Sequence, residues 1–296
     1  MSTVPDPIAA RLATLGAGFN LPEVQALYEP LLARQPTLGV LKLDSQRYGA
    51  HARQVLDVYR PAVETTAPRP LLLFFHGGGF IRGDKAHKAN IGWHFARQGI
   101  VTLLPNYRLA PEHRWPAGPE DVAAALAWAR EQAPALGADP ARIFLMGESA
   151  GAAHVAAASL MKRFGVQGLR GAILASGPYN ARLERLSRAA FGIATPDPRN
   201  DAYFGTDDAQ ALAAMSIVDQ IDAAPFPLLI SYAERDLLQM QVQAGELFAR
   251  LSGNHGFAPE LRCIRHHNHF SQTLAVNTGD DSLSGPVLDF IGRHSG

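Results

Sequence analysis

The stretch Arg142-Ile143-Phe144-Leu145-Met146-Gly147-Glu148-Ser149-Ala150-Gly151-Ala152-Ala153 restricts the possible folds of this chain more than any other. An apolar run of strand type meets Gly-x-Ser-x-Gly and passes without a spacer into an alanine-rich segment of helix type. That order of strand, sharp turn and helix makes a nucleophile elbow. Residues lacking a Cβ fit beside so tight a turn, which accounts for Gly147 and Gly151. Ser149 Oγ is then held clear of the sheet at the positive end of the following helix, where unpaired N–H groups can receive a developing negative charge. Alone, the pentapeptide is a loose pattern found in unrelated loops. Its flanking strand and helix give it weight.

Around this stretch, apolar runs alternate with helix-forming segments. Pro70–Phe75, Ile100–Leu104, Gly171–Gly177 and the run starting at Pro227 read as buried strands, with a further strand from Glu260 to Arg265. Gln54–Pro61 alternates only in part, but its valines and tyrosine favour a strand. Helices are expected over Pro119–Arg130, with acidic residues in its first turn, about Gln239–Leu251 and about Ser284–Arg293. The alternation predicts an α/β fold, a mostly parallel central sheet with helices on both faces. No repeat and no linker divides the chain, so residues 1–296 are expected to form a single domain.

Two segments depart from the alternation. In residues 1–45, Leu21, Val24, Leu27, Tyr28, Leu31 and Leu32 fall at helical spacing behind Pro22. This helix either covers the core or forms a lid. From about 178 to 224 runs a polar, proline- and glycine-dotted stretch containing Thr195-Pro196-Asp197-Pro198 and Tyr203-Phe204-Gly205. It is long for a simple connection and reads as an insertion with helices of its own that covers a site. Both segments are expected to serve as cap elements.

Basic and acidic side chains balance at 27 each, which argues against nucleic acid or an acidic membrane surface as the main partner. No apolar run approaches the roughly 20 residues that span a bilayer. The start, Met1-Ser2-Thr3-Val4-Pro5-Asp6-Pro7, lacks the basic and apolar regions of a signal peptide, so a cytoplasmic protein is expected. The single cysteine, Cys263, excludes an internal disulfide; between Arg262 and Ile264 it is expected to be a buried small hydrophobe.

Ligands of parallel α/β sheets gather beyond the carboxyl ends of the strands. Four such ends carry distinctive chemistry: His76-Gly77-Gly78-Gly79-Phe80, Ser149, the pair Glu234/Asp236, and His266-His267-Asn268-His269-Phe270. Three consecutive glycines are entropically costly and let main-chain N–H groups approach a phosphate or an oxyanion closely. A phosphate loop would want Gly-Lys-Ser or Gly-x-Gly-x-x-Gly opening a helix, and neither occurs. A serine hydroxyl is a poor nucleophile at neutral pH and needs an imidazole to take its proton and later pass it on. A buried carboxylate would fix that imidazole's tautomer. The order Ser149, Asp236, His269 is that of an α/β-hydrolase and differs from the chymotrypsin and subtilisin orders. Glu234 competes with Asp236, and His266 and His267 with His269. A zinc site at His266 and His267 would need a further carboxylate or histidine at fixed geometry, and no metal is expected.

Together, His76–Phe80, Tyr107-Arg108-Leu109-Ala110-Pro111-Glu112-His113 and Gly147–Gly151 resemble the hormone-sensitive-lipase-like branch of the α/β-hydrolase esterases. The likeness runs from about residue 50 to the end, apart from the insertion. Gln54–Pro61 and His269-Phe270-Ser271 are also similar to arylformamidase-like relatives. The resemblance implies Ser149 as nucleophile, Gly78, Gly79 and Ala150 as oxyanion-hole donors, and Asp236 orienting His269. The family's acid stands directly before an apolar residue, as Asp236 does before Leu237, and its imidazole close ahead of a phenylalanine, as His269 does before Phe270. The branch usually shows His-Gly-Phe; this chain lacks that glycine, which keeps His267 as an alternative base. His76 is expected to brace the oxyanion loop, and Tyr107, Arg108 and Glu112 to shape the turn after their strand. Glu148 either contacts the elbow or lies partly exposed in its turn.

The activity expected is hydrolysis of small to medium carboxylic esters through an acyl-enzyme, with no metal or organic cofactor. An arylformamidase or other amidase on the same site is the enzymatic alternative. A non-catalytic ligand-binding protein on the same scaffold is the alternative of another class. The partner is then a small-molecule ester or amide, with neither nucleic acid nor membrane, and a homodimer is compatible with this reading.

Overall fold

The computed structural model describes residues 4–18, 20–63, 65–186, 188–192 and 197–296. Met1 to Thr3 of the N-terminus and Thr195 and Pro196 of the insertion, both used above, lie outside the described residues. The sheet contains β1 (Val40–Arg47), β2 (Val55–Pro61), β3 (Arg69–Phe75), β4 (Val101–Pro105), β5 (Ala138–Glu148), β6 (Gly171–Ala175), β7 (Leu228–Arg235) and β8 (Glu260–Asn268). Their spatial order is β1-β2-β4-β3-β5-β6-β7-β8. β1 and β2 run antiparallel at one edge, and the other strands are mutually parallel.

The strands read as unbroken apolar runs because the sheet is buried on both faces. In β3, Leu71, Leu73 and Phe75 enter one core, while Leu72 and Phe74 enter the other; in β5, Ile143 and Leu145 divide from Phe144 and Met146 in the same way. The first core is closed by helices Ala117–Gln132 and Ala150–Leu160 and by Ala244, Leu247 and Leu251 of helix Leu238–Asn254. The second is closed by Ile91, Phe95 and Ala96 of helix Ala89–Arg97 and by Val287, Phe290 and Ile291 of helix Ser284–His294. Every residue of Ala150–Leu160 is buried. Alanine has the strongest helix propensity and the smallest side chain that retains it, so this central helix is stable and still lies close against the strands.

Two expectations are corrected. Residues 40–45, counted with the N-terminal cap segment, belong to the sheet as part of β1. β1 is a largely exposed edge strand whose Lys42, Asp44 and Gln46 obscured an apolar pattern. Cys263 is exposed, not buried. β8 is the opposite edge, where a strand has only one neighbour; Ile264 is buried there while Arg262, Cys263 and Arg265 are exposed.

The N-terminal segment forms helices Asp6–Leu15 and Leu21–Leu32, whose Leu12, Val24 and Tyr28 make a third core with Leu274 and Ala275. The insertion carries helices Ala181–Leu186, Pro198–Phe204 and Ala209–Met215. It is pinned by Tyr203, whose ring stacks on Phe80 with centroids 3.9 Å apart. Among the described residues, no helix is long and apolar enough to cross a membrane.

Candidate active site

Because β3 and β5 to β8 are parallel, their carboxyl ends lie on one side of the sheet, and the chain emerging from each contributes to one site. Ser149 follows β5 with φ 51° and ψ −123°, a left-handed conformation that side chains other than glycine rarely adopt. Its N–H donates to Ala175 O of β6 at 2.8 Å, and its carbonyl accepts from Ala153 N at 3.2 Å, which anchors the turn between β5 and the helix. A Cβ on Gly151 would lie 2.2 Å from Phe75 O, so β3 and this helix approach as closely as they do only through glycine.

Ser149 Oγ lies 3.0 Å from His269 Nε2, and His269 Nδ1 lies 2.7 Å from Asp236 Oδ1. The carboxylate is buried and held from several sides. Oδ1 also accepts from Leu237 N at 2.9 Å, and Oδ2 accepts from Ala233 N at 3.0 Å and from the Ser176 hydroxyl. Gln272 Nε2 donates to Ser176 Oγ at 2.6 Å. A carboxylate facing Nδ1 places the proton there, so the Nε2 lone pair faces Ser149 as acceptor.

The competing groups are engaged elsewhere. Glu234 accepts from His266 N at 2.5 Å and lies 3.6 Å from Arg235. His267 is buried, with Nδ1 3.0 Å from Ser271 Oγ and Nε2 3.2 Å from Asp280 Oδ2. The structure therefore brings Ser149, His269 and Asp236 into one relay and leaves Glu234 and His267 outside it. Among the described residues, no three histidine, cysteine or carboxylate side chains are grouped as a metal site would require.

The triple-glycine loop after β3 passes beside Ser149. Gly78 has φ +140° and Gly79 φ +59°. Among the described residues, the N–H groups of Gly78, Gly79 and Ala150 donate to no protein acceptor, and all three residues line the cavity that contains Ser149. Gly77 differs, since its N–H donates to Glu148 Oε1 at 3.1 Å. His76 braces the loop: Nδ1 lies 2.7 Å from Gly77 O, its ring stacks on Tyr107 at 4.4 Å, and the Tyr107 hydroxyl donates to His76 O at 2.8 Å. Burial pushes the His76 pKa down to about 4, so this imidazole is neutral at pH 7.

Glu148 is buried beneath the loop and not partly exposed. Oε1 pairs with Lys88 Nζ at 2.6 Å, and Oε2 accepts from the Thr273 hydroxyl. Burial alone would raise its pKa, but the Lys88 charge and the bonds from Lys88, Thr273 and Gly77 outweigh it and hold the carboxyl below the usual range. A depressed folded-state pKa stabilises the fold above the unfolded value, near 4.5, and that stabilisation is lost as the pH falls through the lower folded value. Glu148→Gln should therefore cost about 2 kcal/mol at pH 7. The difference should shrink toward pH 3; thermal melts of both proteins across that range check it.

Ser176, Gln272, Lys88 and Thr273 go unrecognised when the sequence is read alone. Ser176 could have been found by the rule that singled out Ser149, since it ends a buried parallel strand at the same edge of the sheet. The other three meet the site only through packing. The cavity has a volume of about 330 Å³ and is bounded by the glycine loop, Ser149, His269 and Phe270, by Leu21 and Gln25 of the N-terminal segment, and by residues of the insertion.

An elbow serine on a mostly parallel, helix-covered sheet, with an acid after β7 and an imidazole after β8, is the layout of an α/β-hydrolase. The chain belongs to that family: the family model described as alpha/beta hydrolase fold matches residues 72–271. Among curated proteins, it is similar to esterase LipI of Mycobacterium tuberculosis, 41% identical over 92 residues that cover 31% of this chain and 29% of that protein. Carboxylesterase NlhH of the same organism is 42% identical over 83 residues, 28% of this chain and 26% of the relative. These matches span less than a third of either relative's length. Among solved structures, the hyperthermophilic esterase from the archaeon Pyrobaculum calidifontis superposes with a TM-score of 0.73 at 22% identity, covering 100% of both chains. Esterase B from Lactobacillus rhamnosis gives 0.74 at 18% identity, covering 98% of this chain and 96% of the other. At those identities the likeness is one of fold.

Proposed function

We propose that the protein is a serine carboxylesterase of the hormone-sensitive-lipase-like branch, cleaving small to medium carboxylic esters through an acyl-enzyme. The observation that carries this reading is the relay Ser149 Oγ–His269 Nε2 at 3.0 Å and His269 Nδ1–Asp236 at 2.7 Å, set beside main-chain N–H groups that donate to no protein acceptor. The esterase names of the relatives support it. In this mechanism Ser149 attacks the ester carbonyl while His269 takes its proton, and Asp236 steadies the imidazolium. The carbonyl oxygen, now negative, is received by the N–H groups of Gly78, Gly79 and Ala150. His269 then protonates the leaving alkoxide, and a water molecule repeats the sequence to release the acid. Helix Leu21–Leu32 and the insertion serve as the cap, since both contribute walls to the cavity.

Incubation with a fluorophosphonate should add mass to Ser149, and p-nitrophenyl butyrate should be turned over in preference to N-formylkynurenine. No adduct and no ester turnover would overturn the reading. Gly78 provides a second check. A Cβ there would stand 1.9 Å from Arg82 O, so Gly78→Ala must displace the loop. We expect kcat for p-nitrophenyl butyrate to fall by about 10²-fold or more, as for loss of an oxyanion donor.

A further inference from the structure

One wall of the cavity takes no part in the hydrolytic steps. It lies where the insertion meets the start of helix Leu238–Asn254, and it is polar. Glu184 of helix Ala181–Leu186 is buried; its Oε1 accepts from Gln243 Nε2 at 2.7 Å and its Oε2 from Asn200 Nδ2 at 2.9 Å. Gln243 Oε1 accepts the main-chain N–H groups of Tyr179 and Asn180, both at 2.7 Å, which locks the frame in place. Gln239 stands one helical turn before Gln243 on the same face and lines the cavity together with Glu184, Asn200, Pro178 and Met240.

Two polar groups of this frame remain unmatched within the protein. Gln239 and Asn200 are each only 4% exposed. Among the described residues, neither the side-chain amide of Gln239 nor Oδ1 of Asn200 meets a hydrogen-bond partner; Asn200 bonds through Nδ2, to Glu184 O and Oε2. Groups so nearly buried are costly unless an occupant of the cavity meets them. Arg199 beside them is paired with Asp197, Nη2 to Oδ2 at 2.6 Å.

We propose that this wall is a polar subsite of the ester-binding cavity, which selects a substrate whose acyl or alcohol half carries a hydroxyl group over the isosteric alkyl ester. The inference rests on the esterase reading and names its substrate class. The substrate hydroxyl donates to Asn200 Oδ1 or to the Gln239 carbonyl oxygen and accepts from Gln239 Nε2. A methyl group of the same size does neither and strips both groups of hydration.

The test uses two size-matched pairs: p-nitrophenyl 3-hydroxybutyrate against p-nitrophenyl 3-methylbutyrate, and 2-hydroxyethyl butyrate against n-propyl butyrate. In at least one pair the wild-type protein should favour the hydroxyl ester by about tenfold or more in kcat/KM. Gln239→Met, which keeps the volume and removes the amide, should bring that ratio near one. Preference for the alkyl ester in both pairs overturns the subsite, as does an unchanged ratio in Gln239→Met. The wild-type ratio decides the matter even if that variant does not fold. Failure to turn over any of the four esters, with no fluorophosphonate adduct on Ser149, would instead bring down the esterase reading on which the subsite stands.

Discussion

Ser149→Ala should lower kcat on p-nitrophenyl butyrate by about 10⁵–10⁶-fold, with little change in KM or in melting temperature. The variant keeps the cavity and the main-chain donors, so substrate still binds, and what disappears is the covalent step. Residual hydrolysis should stay above the uncatalysed rate, because polarisation by Gly78, Gly79 and Ala150 does not need the hydroxyl. Replacing serine by alanine leaves φ 51° at residue 149 unrelieved, so the strain of the elbow is unchanged and stability should move by less than about 1 kcal/mol. Steady-state kinetics with a thermal melt check both halves. A variant retaining more than a few per cent of wild-type kcat would remove Ser149 from the chemistry.

Asp236→Asn should be nearly as damaging, for a different reason. The carboxylate accepts from His269 Nδ1, Leu237 N, Ala233 N and the Ser176 hydroxyl, and every one of these contacts is a donor pointing at it. An asparagine amide turns one acceptor into a donor, so the two contacts on that side, His269 Nδ1 with Leu237 N or Ala233 N with the Ser176 hydroxyl, are set donor against donor. If the amide faces His269, the imidazole must present Nδ1 as acceptor and carry its proton on Nε2, which then no longer accepts from Ser149. A fall in kcat of about 10⁴-fold is expected. Glu234→Gln, altering a carboxylate that bonds to His266 N on the exposed edge strand, should change kcat less than about threefold. Equal losses in the two variants would mean that the relay is wired differently.

Much of the scaffold was legible because it depends on local rules. The doubly buried strands show as unbroken apolar runs, Ala150–Leu160 shows as an alanine-rich segment after a strand, and the elbow shows through its two glycines. Each signal reflects the sterics of a few adjacent residues. β1 escapes such rules because an edge strand need not be apolar, and so does the exposure of Cys263, because strand composition alone does not tell an edge from a centre.

Which acid and which imidazole face Ser149 is a different kind of question. Glu234 and Asp236 are two residues apart, and a regular strand would put them on one face. The pairing of β7 with β8 shifts register between Ala233 and Arg235, and His266 has φ 65°, so the period of two is broken where the choice must be made. The same holds for the Glu148–Lys88 pair and for the frame of Glu184, Gln243 and Asn200, whose partners are far apart in the chain. By itself the sequence determined the α/β architecture, the elbow and the glycine loop, because these follow from sterics and burial over short spans of chain. Only the tertiary structure decided that Asp236 and His269 form the relay and that the cavity ends in a polar wall, because those contacts depend on strand register and on how an insertion packs over the sheet.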